Sequence, residues 1–241
     1  MRDYKEELEK RIEFIRQIIK ESGAEGLVYG NSGGKDSALA GILCKMACDN
    51  TLGVIMPCQS KRNYEEDTAD AIEVATQFAI ETVTVDLTEL KNTFEKTVSH
   101  LEVSPKAFTN VNPRLRMTTL YAIAQSKNML VCGTGNRSEG YMGYFTKWGD
   151  GAFDLNPIGD LTVRETYEFL AFLKAPKAIM EKAPSAALFE GQTDEQEMGI
   201  TYNAIDDYLL NGVVTPENHA IIERYHHVSK HKREGLKIYG A

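Results

Sequence analysis

Leu8, Ile12, Ile15 and Ile19 recur at helical spacing with charged residues between them, so residues 3–21 are predicted to form an amphipathic helix that stops at Gly23. The period then changes. Residues 26–31 (GLVYGN) form a short apolar run, and SALAGILCKMA behind it is rich in helix formers, which gives strand, glycine loop, helix. The rhythm repeats: LGVIMP (52–57) reads as a strand, 65–80 as a helix with Ala71, Val74, Ala75 and Phe78 inward, and ETVTVD (81–86) as a third strand. Residues 113–128 read as a helix whose Met117 and Tyr121 fall in the core by periodicity, and MLVCG (129–133) as a fourth strand. Alternating strands and helices predict an α/β fold, a doubly wound parallel sheet with helices on both faces. Three more helices are expected at 162–173, 194–210 and 216–233.

Three stretches break the pattern. Residues 87–112 look helical and then irregular. The glycine-rich stretch 134–160, with five aromatics, is too long for a connector, and long structured loops are usually functional. Residues 182–193 lack periodicity and are expected to be a mobile loop, with 183–194 closing over an intermediate to shield it from water. Without a repeat or a clean boundary, residues 1–241 are read as a single domain.

Composition narrows the classes. Among 241 residues, 42% are hydrophobic and 26% charged, with 19 Gly and 7 Pro, which excludes disordered and collagenous chains. A net charge of −8 repels polyanions, so no nucleic-acid partner is expected. Cys44, Cys48, Cys58 and Cys132 form no C-x-x-C pair, so neither a zinc site nor a disulfide framework is favoured. The charged N-terminus and the lack of any run of about 18 apolar residues argue against a signal peptide or a membrane span. A cytoplasmic location and no membrane partner are expected.

The chemistry concentrates after the first strand, in Gly30-Asn31-Ser32-Gly33-Gly34-Lys35-Asp36-Ser37. Adjacent glycines let backbone N–H groups turn inward, and the following helix N-terminus adds partial positive charge, an arrangement that suits a phosphate. Asp36 is a candidate ligand for Mg²⁺. The spacing is wrong for a Walker A loop, and a Rossmann G-x-G-x-x-G is absent. The segment instead resembles the S-G-G-x-D-S signature of the ATP pyrophosphatases, which cleave ATP between its α and β phosphates.

Further blocks follow in order: Arg114-Leu115-Arg116-Met117, LVCGTGNRSE (130–139), GYFTKWGDGAFDLNPIGDL (143–161), KAPSA (182–186), GQTDEQEMGITYNAID (191–206) and HKR (231–233). Together they resemble the ammonia-dependent NAD synthetases over nearly the whole chain. The resemblance implies an adenine nucleotide alpha-hydrolase-like fold, a homodimer, and amidation of deamido-NAD with ATP and ammonia through an acyl-adenylate. It implies ATP contacts from the Gly30–Ser37 loop, Thr134 and Ser185, and Mg²⁺ ligands at Asp36 and Glu139, the latter in the loop after the fourth strand. It places Arg114, Lys147, Asp154, His231 and Lys232 against deamido-NAD, and Asp150 near incoming ammonium as a catalytic acid or base. One departure stands out: Val163 occupies a position where the family usually carries an ATP-contacting lysine, and Arg164 beside it points about 100° away. No residues remain for a glutamine amidohydrolase domain, so free ammonia is the expected nitrogen donor.

No Ser-His-Asp or Cys-His constellation calls for a protein nucleophile, and His226 and His227 lack acids at metal-ligand spacing. The glycine loop alone also allows a tRNA-modifying ATP pyrophosphatase or a non-catalytic ATP-binding module. The acidic charge and the cysteine spacing weigh against the tRNA enzyme.

Overall fold

The computed structural model describes residues 2–58, 66–181 and 194–240. Four short parallel strands, β1 (Gly26–Gly30), β2 (Thr51–Ile55), β3 (Glu81–Thr84) and β4 (Met129–Cys132), lie in the order β3-β2-β1-β4. In-register pairs such as Leu27 with Leu130 and Val54 with Val83 set the sheet. Leu155 bridges Cys132 in parallel at the free side of β4. The doubly wound α/β fold expected from the alternation is what forms.

Side-chain alternation along β1 separates two cores. Leu27 and Tyr29 join Ile15 of α1 (Tyr4–Ser22) and Leu39, Ile42 and Leu43 of α2 (Lys35–Ala47). Val74 and Ala75 of α3 (Glu66–Gln77) lie on the same side. Val28 points the other way, with Leu52, Val54 and Val131, against Met117, Leu120 and Ala124 of α6 (Val111–Lys127). Burying one such Leu or Ile contributes about 1.5–3 kcal/mol, which is why central α2 is apolar nearly all round.

Between β3 and β4 run α4 (Thr88–Thr97), a 3₁₀ turn (Ser99–Leu101) and α5 (Pro105–Thr109), so the stretch is helical at its start as expected, and its second part, expected to be irregular, also carries a short helix. Inside 134–160 lies α7 (Arg137–Met142). Then come α8 (Val163–Phe172) and α9 (Lys177–Glu181). The helix expected over 194–210 is two, α10 (Asp194–Met198) and α11 (Tyr202–Asn211), parted at Gly199 with φ 73°. The last helix is likewise divided, into α12 (Pro216–Val228) and α13 (Lys230–Arg233). Met142, Val163, Met198, Tyr202, Ile205 and Ile222 pack as a third core joining α7, α8, α10, α11 and α12. Among the described residues no helix is long and apolar enough to cross a membrane.

Candidate active site

The strand order reverses between β1 and β4, and such a switch point opens a crevice at the carboxyl ends of its two strands. The segment after β1 forms one wall. Asn31 N–H donates to Val54 O at 2.9 Å and its Nδ2 to Ala71 O at 3.1 Å, which pins the start of the loop. Gly33 sits at φ 70°, and a Cβ there would come within 2.1 Å of Asp67 O, so only glycine fits. Ser37 Oγ donates to Gly34 O at 3.0 Å and meets Ser32 Oγ at 3.0 Å. Gly34 caps α2 without a side chain, so the first N–H groups of this 13-residue helix are left for an anion.

The other wall starts after β4. Asn136 caps α7 in a capping box, its Oδ1 accepting from Glu139 N at 3.0 Å while Asn136 N–H donates to Glu139 Oε2 at 3.3 Å. Glu139 therefore stands on the third residue of a short helix, and the expectation of a loop position is corrected. Asn136 Nδ2 also donates to Asp36 Oδ1 at 3.1 Å, so one residue links the two carboxylates across the crevice, Asp36 through its side chain and Glu139 through its backbone N–H. Burial, together with the charges of Asp36 and Asp194, pushes the Glu139 carboxyl up to about 8 against the pull of Lys35. Lys35 Nζ bonds Asp36 Oδ2 at 2.7 Å. Two carboxylates beside a phosphate-binding loop suit a hard cation such as Mg²⁺, which takes one or two carboxylates plus substrate phosphates. Among the described residues no group of three or more His, Cys, Asp or Glu forms an all-protein metal cage.

From the loop a cleft of about 870 Å³ runs past Thr134 and Tyr144 to Asp150 and Lys232. Asp150 opens onto it, and Asp150 Oδ1 accepts from Thr146 N at 3.0 Å. Enclosure by protein on its other sides raises its carboxyl above the ordinary value, against the charges of Lys232 and Arg116. Lys232 Nζ donates to Gly143 O (2.8 Å) and Phe145 O (2.7 Å), and burial lowers its pKa. Arg116, whose Nε donates to Met56 O at 3.1 Å, also lines the cleft and is lowered by burial. Arg116 and Asp194 were not singled out from sequence. Two arginines two residues apart on a helix lie about 200° apart, so one of Arg114 and Arg116 had to face inward.

Not every expected residue reaches the cleft. Gly30, Asn31, Ser32, Gly34, Lys35, Asp36, Ser37, Thr134, Glu139, Asp150 and Lys232 line it. Arg114, Lys147, Asp154 and His231 lie outside, linked on the surface: Arg114 donates to Lys147 O at 3.3 Å and Lys147 Nζ to His231 O at 2.6 Å. Asp154 accepts from Tyr121 OH at 3.1 Å and from Val131 N at 2.7 Å. Tyr121 is thus an exposed partner of Asp154 and not a core residue. Ser185 and residues 183–193 of the proposed 183–194 shielding loop fall outside the described residues. Val163 is buried in the third core, and Arg164 pairs with Asp207 at 2.8 Å away from the cleft, so Arg164 does not stand in for a lysine there.

Known proteins resemble this chain in sequence and in fold. A family model described as NAD synthase matches residues 7–236. The NH₃-dependent NAD⁺ synthetase of Carboxydothermus hydrogenoformans is 45% identical, over 96% of this chain and 96% of its own. The solved structure of an NMN synthetase from Francisella tularensis superimposes with a TM-score of 0.94 at 37% identity, covering 100% of both chains. An NH₃-dependent NAD synthetase from Campylobacter jejuni gives 0.80 at 30% identity, covering 99% of both.

Proposed function

Because the chain belongs to the NAD synthase family, we propose that its cleft binds ATP at the Gly30–Ser37 loop and amidates deamido-NAD with free ammonia. The enzyme is a C–N ligase of the ammonia-dependent type. The observation that carries the assignment of the site is the crossing of the switch point by Asn136, which sets Asp36 and Glu139 beside a helix N-terminus.

The nicotinate carboxylate is a poor acyl donor, since ammonia does not displace oxide from it at neutral pH. One carboxylate oxygen attacks the α-phosphorus of ATP, the α–β bridging bond breaks, and pyrophosphate leaves with both electrons of that bond. Loop N–H groups and the α2 N-terminus hold the phosphates in line, with Thr134 and Ser185 as further ATP contacts. Asp36 and Glu139 fit Mg²⁺, which when bound neutralises charge on the phosphates. Ammonia then attacks the acyl carbon of the adenylate and AMP leaves. Asp150, open to the cleft with a raised pKa, attracts ammonium and accepts the proton that must leave it.

Lys232 faces the substrate within the cleft, whereas Arg114, Lys147, Asp154 and His231 hold the outer half of the dinucleotide on the surface. Their outward position supports a homodimer whose second subunit covers them. The reading treats residues 1–241 as one synthetase domain in the cytoplasm, with no nucleic-acid partner.

A second reading shortens the substrate to the mononucleotide. It is favoured by the TM-score of 0.94 to the NMN synthetase and by the four dinucleotide candidates lying outside the cleft. One assay separates the two. The purified protein, given ATP, Mg²⁺ and ammonium, should convert deamido-NAD to NAD with AMP and pyrophosphate as products, and far faster than with glutamine. ADP and phosphate as products would overturn the adenylation. A kcat/KM at least tenfold higher for nicotinate mononucleotide would give the site to the shorter substrate.

A further inference from the structure

Lys35 follows the paired glycines of the loop in the first turn of α2, yet its side chain turns inward and the residue is only 6% exposed. Its ammonium lies 2.7 Å from Asp36 Oδ2, and its charge acts on Glu139 as well. The rings of Tyr202 and Tyr167 stand 5.7 and 6.0 Å from Nζ, closing the far side of the seat with their faces. The neighbouring start of α8 brings no cation here, because Val163 packs with Tyr202 and Tyr167 while Arg164 turns to Asp207. A positive charge therefore already occupies the space against Asp36, near enough to act on Glu139, in the free protein.

A divalent ion coordinated by Asp36 would stand within a few ångströms of that ammonium, and two cations so close inside a protein repel strongly. Both cannot keep their places. Lysine is a point charge on a flexible four-carbon stem, so it can leave the carboxylate without leaving the site. The anion-binding N–H groups of the same loop begin one residue away.

We propose that Lys35 is a tethered placeholder: its ammonium holds the cation seat at Asp36 and Glu139 until a divalent ion arrives with ATP, and once displaced it contacts the triphosphate. This rests on the reading of the cleft as an ATP and metal site. The carboxylate pair is then never left with its charge uncompensated, and the metal enters preferentially as its ATP complex, because only that complex offers the displaced ammonium a new partner.

The test measures Mn²⁺ binding by electron paramagnetic resonance in protein without nucleotide. Lys35→Met should bind Mn²⁺ at least tenfold more tightly than the wild type, Lys35→Arg should stay weak, and Mg·ATP should bind Lys35→Met about tenfold more weakly. Equal or weaker Mn²⁺ binding by Lys35→Met, even with a lowered melting temperature, would reduce Lys35 to a packing residue and overturn the proposal. If Lys35→Met does not fold, ¹⁵N-lysine spectra of the wild type decide. The Nζ resonance missing from Lys35→Arg should move when Mg²⁺ and a non-hydrolysable ATP analogue are added together, and an unmoved resonance overturns the displacement. Failure of the underlying reading shows elsewhere, as Mn²⁺ affinity that is indifferent to Asp36→Asn and Glu139→Gln.

Discussion

One side-chain amide holds the two halves of the site. Asn136 caps α7, orients Glu139 and reaches Asp36, so the separation of the carboxylates is fixed by a residue that needs no contact with substrate. Asp36→Asn and Glu139→Gln should each lower turnover by roughly a hundredfold or more, on the scale of losing one electrostatic contact to the transition state, with circular dichroism unchanged. Asn136→Ala should lower kcat less and raise the Mg²⁺ concentration needed for half-maximal rate. A mutant set with wild-type rates would remove the trio from the site. The loop motif made Asp36 legible in the sequence. Glu139 was found through resemblance, and its helix was missed although Asn136-Arg137-Ser138-Glu139 is a capping-box pattern. Arg116 was missed because helical periodicity assigns a face without telling whether that face meets a core or a cleft.

Among the elements, α1 shows how a charged face is used. Asp3 caps its start, and Arg11 forks onto Asp160 with contacts of 2.7 and 2.9 Å while also reaching Pro157 O. Arg2 adds a contact to Asp160 at 2.9 Å, so the turn that leads into α8 is strapped to the first helix. Burial pushes the Asp160 carboxyl up, but Arg11 and Arg2 outweigh it and hold the pKa below the usual value. A carboxyl depressed in the folded state contributes stability above its unfolded pKa of about 4 and loses it as pH falls through the lower folded value. Asp160→Asn should therefore melt a few degrees below the wild type at pH 7, and the gap should close toward pH 3. A gap independent of pH would show that the strap is not electrostatic. Elements with strong periodicity were legible, α1 to within one residue at each end and α3 to within three. The division of 194–210 was not, because the apolar spacing runs on through Gly199 and only its left-handed backbone ends the helix.

At the scale of the molecule, exposed apolar residues remain on the described surface. Trp148 (58% exposed) and Phe153 lie close in sequence to Lys147 and Asp154, and Tyr121 bonds Asp154. A second copy covering this face is expected to give a dimer in sedimentation at micromolar concentration, and Trp148→Glu should weaken the dimer and raise KM for the dinucleotide together. A fully active monomer would contradict both. The same crevice has a temporal side. Its floor is the pairing of Val28 with Val131, and the Asn136 to Asp36 bond spans 100 residues of chain. A chain emerging from the ribosome completes its phosphate loop, β2 and β3 long before β4 exists, and contacts of such long range form late. Nucleotide stabilises only what it binds. Abundant ATP can thus lock in the finished fold, yet it gives little help to the half-made sheet, which must find its last strand unaided.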